Sequence, residues 1–269
     1  MNTLLKWAGG KKQLFKEIEN RLPDEYNNYI EPFFGGGAVF FKLCPSHAII
    51  NDMNVELINC YNQVKNNLDL VIKELDKIQS EHNLVSDHDE YYYSIRDLFN
   101  KRRFSVELNY EDAAMMIYLN KAGFNGMYRE NKKGLFNIPS GKKEFVTLYV
   151  KDNLIECSKQ LKKARIFQGD FEQVCLMAKE GDFVFIDSPY YDTFDTYQAG
   201  GFSEDDHRRL ANVYRILTQR GVKCMLTNSD KDFIKNLYKE YNIDVVTVTR
   251  MIGFRKERKK ENEIIVTNY

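Results

Sequence analysis

Apolar positions along the chain fall into two α/β stretches separated by a long helical one. The first opens with an amphipathic pattern over 11–21, followed by a strand-like run, Tyr29-Ile30-Glu31-Pro32. Next come Phe33-Phe34-Gly35-Gly36-Gly37, an apolar helical stretch over 38–43, and a second strand-like run over 48–51 that ends at Asp52. Strand, glycine turn, helix, strand and acid is the layout of a nucleotide-binding βαβ unit. From 55 to 120, apolar residues at spacings of three and four predict helices over 68–79, 91–100 and 112–120. Turn formers then interleave with aromatic and basic residues from Gly123 to Gly141, the pattern of a hairpin or exposed loop. After a helix over 148–163 the α/β rhythm resumes. Strands are predicted over 165–168, 183–186, 223–227, 244–249 and 264–267, with helices over 203–219 and 231–241. Phe183-Val184-Phe185-Ile186 is a continuous apolar run, as a central strand covered on both faces requires. The last strand follows a short basic loop, so it is expected to run antiparallel to its neighbour. The reading is a doubly wound α/β domain, 1–55 and 146–269, interrupted by a helical insertion over 56–145.

With 269 residues, 43% of them hydrophobic and 29% charged, the chain can bury a full core, and disorder is excluded as the default. It contains no apolar run of bilayer-spanning length and no long apolar stretch at the N-terminus. The expectation is therefore a cytoplasmic protein with no membrane partner. The cysteines (Cys44, Cys60, Cys157, Cys175, Cys224) form no CxxC pair, and His47, His82, His88 and His207 do not cluster with them. Buried free thiols and no metal site are expected. Lys+Arg and Asp+Glu both number 39, a balance that argues against nucleic acid until the charges are placed. Between Lys121 and Lys143 six basic residues face one acid, Glu130; between Arg250 and Lys260 six again face one, Glu257. A neutral protein with two concentrated basic segments can present a positive face to phosphates, although solvated loops with chance runs account for the charges equally well.

Chemistry concentrates at Asp187-Ser188-Pro189-Tyr190, at the carboxyl end of the apolar strand, where open α/β sheets bind their ligands. These residue types suit methylation of an aromatic amine. A carboxylate on Asp187 and the backbone carbonyl of Ser188 can each accept a hydrogen bond from an exocyclic amine, making its nitrogen more nucleophilic. Pro189 fixes the local backbone and has no N–H, and Tyr190 offers a ring on which a base can stack. A strand-end acid in a proline turn explains the tetrad equally well if taken alone. Phe33, Gly35 and Gly37 in the first turn permit close approach of a ligand to a helix N-terminus, which leaves a dinucleotide enzyme open. Asp52 is placed to accept ribose hydroxyls. Asp170 can meet a cofactor adenine or simply cap the next helix. Trp7, between Lys6 and Lys11 and beside Gly9-Gly10, is either a cofactor cover or a core residue.

The order of these blocks decides among the alternatives. Lys-Trp-Ala-Gly-Gly-Lys (6–11), Glu-Pro-Phe-Phe-Gly-Gly-Gly (31–37), Asn-Asp-Met-Asn (51–54), Phe-Asn-Gly-Met-Tyr-Arg (124–129), Gly-Leu-Phe-Asn-Ile-Pro-Ser-Gly (134–141), Gly-Asp-Phe (169–171) and Asp-Ser-Pro-Tyr (187–190) run through the whole chain. In this order the sequence resembles the Dam-like (D12 class, α-type) adenine-N6 DNA methyltransferases. The resemblance implies a class I S-adenosylmethionine-dependent methyltransferase sheet with a helical DNA-recognition insertion, acting on double-stranded DNA as a monomer when free of it. It implies that Trp7, Lys11, Asp52 and Asp187 contact S-adenosyl-L-methionine and that Asp187 to Tyr190 hold the target adenine. Lys6 and the segment from Phe124 to Pro139 are implied to read DNA. Phe124 would be the wedge and Arg129 the main base reader, with Asn125, Met127 and Pro139 nearby. Members with the Phe-Asn-Gly block commonly act at GATC, so that target is expected, in a housekeeping or a restriction-modification setting.

One residue departs from the pattern. The family's tetrad is usually Asp-Pro-Pro-Tyr, and here Ser188 stands second. The carbonyl is kept, the rigidity of a second proline is lost, and a hydroxyl and an N–H are gained. Two other readings follow: a protein of this fold that occupies DNA without chemistry, and a methyltransferase acting on RNA or a protein amide. The latter leaves the Phe-Asn-Gly…Arg block and both basic segments unexplained.

Overall fold

The computed structural model describes residues 1–7, 9–11, 13–104, 107–192, 201–252 and 257–269, side chains within 250–259 excepted. Strands β1 (Tyr29–Glu31), β2 (Ala48–Asp52), β3 (Ala164–Gln168), β4 (Phe183–Ile186), β5 (Lys223–Ser229), β6 (Asn242–Ile252) and β7 (Glu257–Thr267) form one seven-stranded sheet in the order β3-β2-β1-β4-β5-β7-β6. The first five run parallel, and β7 lies antiparallel between β5 and β6, as the short connection predicts. The chain leaves β1 toward β2 on one side and later returns to place β4 on the other. A crevice therefore opens beyond the carboxyl ends of β1 and β4, the switch point at which such sheets bind ligands.

Alternation along each strand assigns side chains to two cores. Tyr29, Ile50, Phe183, Phe185, Met225 and Ile265 face one side, while Ile30, Ile49, Val184, Ile186, Leu226 and Ile264 face the other. The second core is closed by α8 (Phe171–Cys175), α9 (Glu204–Gln219) and α10 (Asp232–Leu237). The first is larger. It runs without a break from the sheet into α3 (Val55–Asn66), α4 (Leu68–Leu84), α5 (His88–Arg102), α6 (Tyr110–Ala122) and α7 (Lys151–Lys162). Helix α6 lies among α3, α4 and α5 and is buried almost all round, from Asp112 to Asn120.

Capping residues extend the helices beyond their periodic cores. Asn54 caps α3 by accepting from the Leu57 N–H, Asp87 caps α5 by accepting from Glu90, and Asn109 forms a capping box with Asp112 at α6. Other elements depart from expectation. The pattern over 11–21 yields only α1 (Phe15–Glu19), because Gly9 turns the chain (φ 76) and Lys11 is drawn into the sheet crevice. Helix α2 (Phe40–Leu43) is short, and α10 stops at Leu237, leaving Tyr238 and Tyr241 to pack on Tyr214. Strands β6 and β7 continue as a two-stranded ribbon to Ile252 and from Glu257, where a basic loop from Arg250 to Lys260 was expected. Arg255 and Lys256 of that segment lie outside the described residues. Cys60, Cys157, Cys175 and Cys224 are buried free thiols, but Cys44 is exposed at the left-handed end of α2, correcting that expectation for one residue. Among the described residues no helix is long and apolar enough to cross a membrane, and no group of His, Cys, Asp or Glu could hold a metal ion.

Candidate active site

The tetrad leaves β4 at the crevice. Lys11 Nζ donates to Asp187 Oδ1 at 2.7 Å and to the Gly9 carbonyl at 2.7 Å. Thr227, on the neighbouring strand β5, donates its hydroxyl to the same Asp187 oxygen at 2.8 Å. Burial pushes the Asp187 carboxyl above its ordinary value, and Lys11 and Thr227 act against that push. Lys11 also lies over the Tyr190 ring, 4.8 Å from its centre. The Tyr190 hydroxyl donates to Glu263 Oε2 of β7 at 2.7 Å. Burial, then the nearby Asp187 and Glu263 charges, hold that phenol well above its usual value and therefore protonated.

Ser188 is buried, and its hydroxyl accepts from Asn228 Nδ2 at 3.2 Å. The Asn228 side-chain oxygen Oδ1 accepts the Tyr191 N–H at 3.0 Å, and the Ser229 hydroxyl donates to the Tyr191 backbone carbonyl at 2.8 Å. The loop is thus tied to the end of β5 on both sides of Pro189 and Tyr190. Thr227, Asn228, Ser229 and Glu263 are absent from the sequence-derived site. The signal was available: a buried polar triplet closes the apolar run of β5 just where the adjacent strand delivers the tetrad. Glu31, beneath the same crevice, is a further omission; it is buried, accepts from the Tyr29 hydroxyl at 2.7 Å, and is lifted well above the carboxylate range by burial.

Across the switch point, the turn after β1 folds against Trp7. Gly35 (φ 48) has no room for a side chain, since a Cβ there would stand 2.8 Å from Trp7 Cδ1. A Cβ on Gly37 (φ 64) would meet Phe34 Cζ at 2.5 Å. Asp52 Oδ2 accepts the Gly35 N–H at 2.8 Å, and its Oδ1 accepts the Asn54 N–H at 3.0 Å. Asn51 spans the ends of β1 and β3 by donating to the Pro32 and Gly169 carbonyls, while its buried Oδ1 is left with no partner. A glycine cradle, a strand-end carboxylate and an orphaned amide oxygen fit a ligand carrying hydroxyl and amine donors. Phe33 stacks on Phe171 at 5.1 Å and meets Phe202 edge-on at 5.8 Å, an aromatic wall for a purine. Asp170 caps α8, one of its two expected roles, by accepting the Glu172 N–H at 2.9 Å, and Arg209 donates to its two oxygens at 3.0 and 2.8 Å.

Trp7 is neither a buried core residue nor a free cover. It is half-buried between the Gly35–Gly36 turn and Tyr128, on which it stacks at 5.0 Å. Tyr128 belongs to a hairpin-like segment closed by bridges Gly123–Ser140 and Glu130–Phe136. Tyr128, Phe136 and Ile138 are buried in the core, Met127 is half-buried against it, Arg129 and Asn137 are half-buried, and Pro139 is exposed. The Phe124–Gly126 turn, with Asn125 at φ 55, sits at the base of the hairpin. Asn120 of α6 accepts the Lys6 N–H at 2.8 Å and donates to the Lys6 and Gly126 carbonyls at 2.8 and 3.0 Å. Lys6, Phe124, Asn125, Met127, Arg129 and Pro139 therefore fall in one region bordering Trp7. Arg129 Nε donates to Asn137 Oδ1 at 2.9 Å.

The sheet order, with its antiparallel seventh strand and the tetrad at the end of β4, defines a mixed α/β protein with its candidate chemistry at the switch point of the sheet. The chain belongs to the D12 class of N6 adenine-specific DNA methyltransferases, whose family model matches residues 7–252. It is 40% identical over 272 residues to the type II methyltransferase M1.LlaDCHI of Lactococcus lactis subsp. cremoris, covering 98% of this chain and 94% of that protein. It is 40% identical over 284 residues to the type II methyltransferase M.MjaIII of Methanocaldococcus jannaschii, covering 98% of each. The DNA adenine methylase of Escherichia coli K12 is 30% identical over 270 residues, covering 97% of this chain and 93% of that protein. The chain is an adenine-specific DNA methyltransferase, and its family and fold imply S-adenosylmethionine as the methyl donor.

Proposed function

We propose that the chain methylates N6 of an adenine flipped out of duplex DNA, within the sequence GATC, with residues 56–145 reading the target. The observation that carries this reading is the Asp187 carboxylate at the end of β4, held through one oxygen while the other has no partner among the described residues and the side chain stays 20% exposed. Trp7, Lys11, Phe33, Gly35, Gly37 and Asp52 would hold S-adenosyl-L-methionine, which supplies an electrophilic methyl group when bound. Asp187 accepts one hydrogen of the N6 amine and the Ser188 carbonyl the other, drawing the nitrogen lone pair away from the ring. Tyr190, fixed through Glu263, stacks on the extruded base. N6 would take the methyl group as the donor's sulfur–methyl bond breaks and leaves a neutral thioether, and the surplus amine proton would then pass to solvent. Phe124 fills the gap left in the duplex, offsetting part of the few kcal/mol that unstacking costs, about the range general for base flipping. The Phe-Asn-Gly block supports GATC as the target.

The test is incubation with tritiated S-adenosylmethionine and unmethylated duplexes that contain or lack GATC, followed by analysis of the labelled base. Label in N6-methyladenine confined to GATC supports the reading; labelled adenine elsewhere sinks the target sequence, and unlabelled adenine with folded protein sinks the reaction.

Ser188 gives a second test. Its hydroxyl satisfies a buried Asn228 amide, so Ser188→Pro strands that donor. The variant is expected to lose about 1 kcal/mol of stability and to gain no activity, by thermal denaturation and steady-state kcat. A large rise in kcat on this change would instead mean that serine had silenced the wild-type chain.

A further inference from the structure

We propose that Thr227 is a positioning residue that fixes the plane of the Asp187 carboxylate, so that one of its oxygens stays turned to the target amine. The inference rests on the reading of Asp187 as the amine acceptor. A carboxylate oxygen has room for about two hydrogen bonds in its plane. Asp187 Oδ1 already takes two, from Lys11 Nζ at 2.7 Å and from Thr227 Oγ1 at 2.8 Å. Oδ2 takes none from the described residues, and the side chain is 20% exposed. The oxygens are thereby divided between scaffold and substrate.

Lys11 cannot enforce that division alone. Its ammonium carries three donors on a four-carbon stem, so it can follow either oxygen as the carboxylate rotates about its broad, roughly two-fold terminal torsion. Thr227 cannot follow. It is fully buried, sits on β5 one residue beyond the Ile186–Leu226 pair, and is stiff at its branched β carbon. Turning the carboxylate plane away from this position would break the Thr227 bond and leave its buried hydroxyl only the Tyr190 side chain as a partner, which costs free energy. The groups that set the charge of Asp187 are Lys11 and Thr227, which favour the carboxylate, and Glu263 and Glu31, which oppose it.

Thr227→Val keeps the branched shape and deletes the donor; Thr227→Ser keeps the donor and deletes a methyl. Thr227→Val is expected to lower single-turnover kcat about tenfold, with the dissociation constant for S-adenosylmethionine unchanged. Deleting a hydrogen bond to the charged carboxylate raises its pKa, so the acid limb of the kcat–pH profile is expected to move to higher pH. Thr227→Ser is expected to retain most of the rate and the wild-type profile. Wild-type kcat in Thr227→Val, or an equal loss in both variants, overturns the inference by assigning Thr227 no role or a packing role. Asp187→Ala run alongside separates the premises: if it is inactive while Thr227→Val is fully active, only the positioning role fails. If Asp187→Ala is itself active, the acceptor reading fails with it.

Discussion

Asp187→Ala is expected to reduce kcat for adenine methylation by roughly 10²- to 10³-fold, the scale seen when one preorganised partner of a reacting group is deleted. The loss should fall on kcat more than on KM for DNA, because the residues proposed to read DNA, Lys6 and the hairpin, are remote in sequence from the tetrad. The same change strands Lys11, which is 6% exposed and keeps the Gly9 carbonyl and the Tyr190 ring but no opposite charge paired with it. Breaking a pair this enclosed costs about 3 kcal/mol, so a lower melting temperature is expected alongside the kinetic loss. Circular dichroism and cofactor binding on the same sample separate the two effects. A folded Asp187→Ala variant that binds cofactor and turns over near the wild-type rate would remove the carboxylate from the chemistry.

Much of this architecture could be read from the chain because it rests on strong local rules. The run Phe183–Ile186 is a strand covered on both faces, and such a strand needs no polar alternation. The glycine turn before Asp52 is legible because only glycines tolerate the positive φ and the contact with Trp7 that Gly35 requires. Weaker local signals failed. Helix α8 is five residues long, below the reach of periodicity, and only its cap Asp170 announces it. The bases of β6 and β7 were legible over 244–249 and 264–267, but toward the tip the ribbon is rich in charge and carries no apolar alternation from which to extend the strands. The residues behind the tetrad were missed for a different reason. Thr227, Asn228 and Glu263 matter through partners 40, 40 and 73 positions away; the polar triplet that closes β5 hints at the first two, but no linear pattern marks the pairing of Glu263. Asp170 shows the converse: a motif residue whose carboxylate the fold has already committed to a helix cap and to Arg209.

One pair joins the two halves of the reaction. Trp7 lines the glycine turn on one side and stacks on Tyr128 on the other. Asn120 ties the backbone of Lys6 to the Phe124–Gly126 turn. The residues proposed to hold the cofactor and those proposed to read the base sequence are therefore braced through a shared N-terminal segment, and that segment is short and partly buried. This explains why α1 starts only at Phe15: residues before it are held by tertiary contacts rather than by helical hydrogen bonds.

Arg129→Ala is expected to abolish discrimination at one base pair of the target rather than to weaken DNA binding generally. Asn137 Oδ1 accepts from Arg129 Nε at 2.9 Å, which steadies the guanidinium and leaves its two terminal nitrogens pointing away as a fork. A fork of this kind matches the O6 and N7 acceptors of guanine in the major groove, where one bidentate contact supplies about 1–3 kcal/mol of selectivity. Deleting it should lower kcat/KM on GATC by roughly tenfold to a hundredfold. Duplexes altered at the guanine should then become as good substrates as GATC itself, while duplexes altered at other positions remain poor. Lys132 and Lys133, exposed at the hairpin tip, supply the contrast. Replacing them with alanine should weaken binding to all duplexes alike and flatten its dependence on salt, as loss of phosphate contacts does. Competition among the substituted duplexes at fixed salt reads both effects at once. If Arg129→Ala keeps the full preference at every position of the site, base reading lies elsewhere, and the hairpin holds only the phosphate backbone.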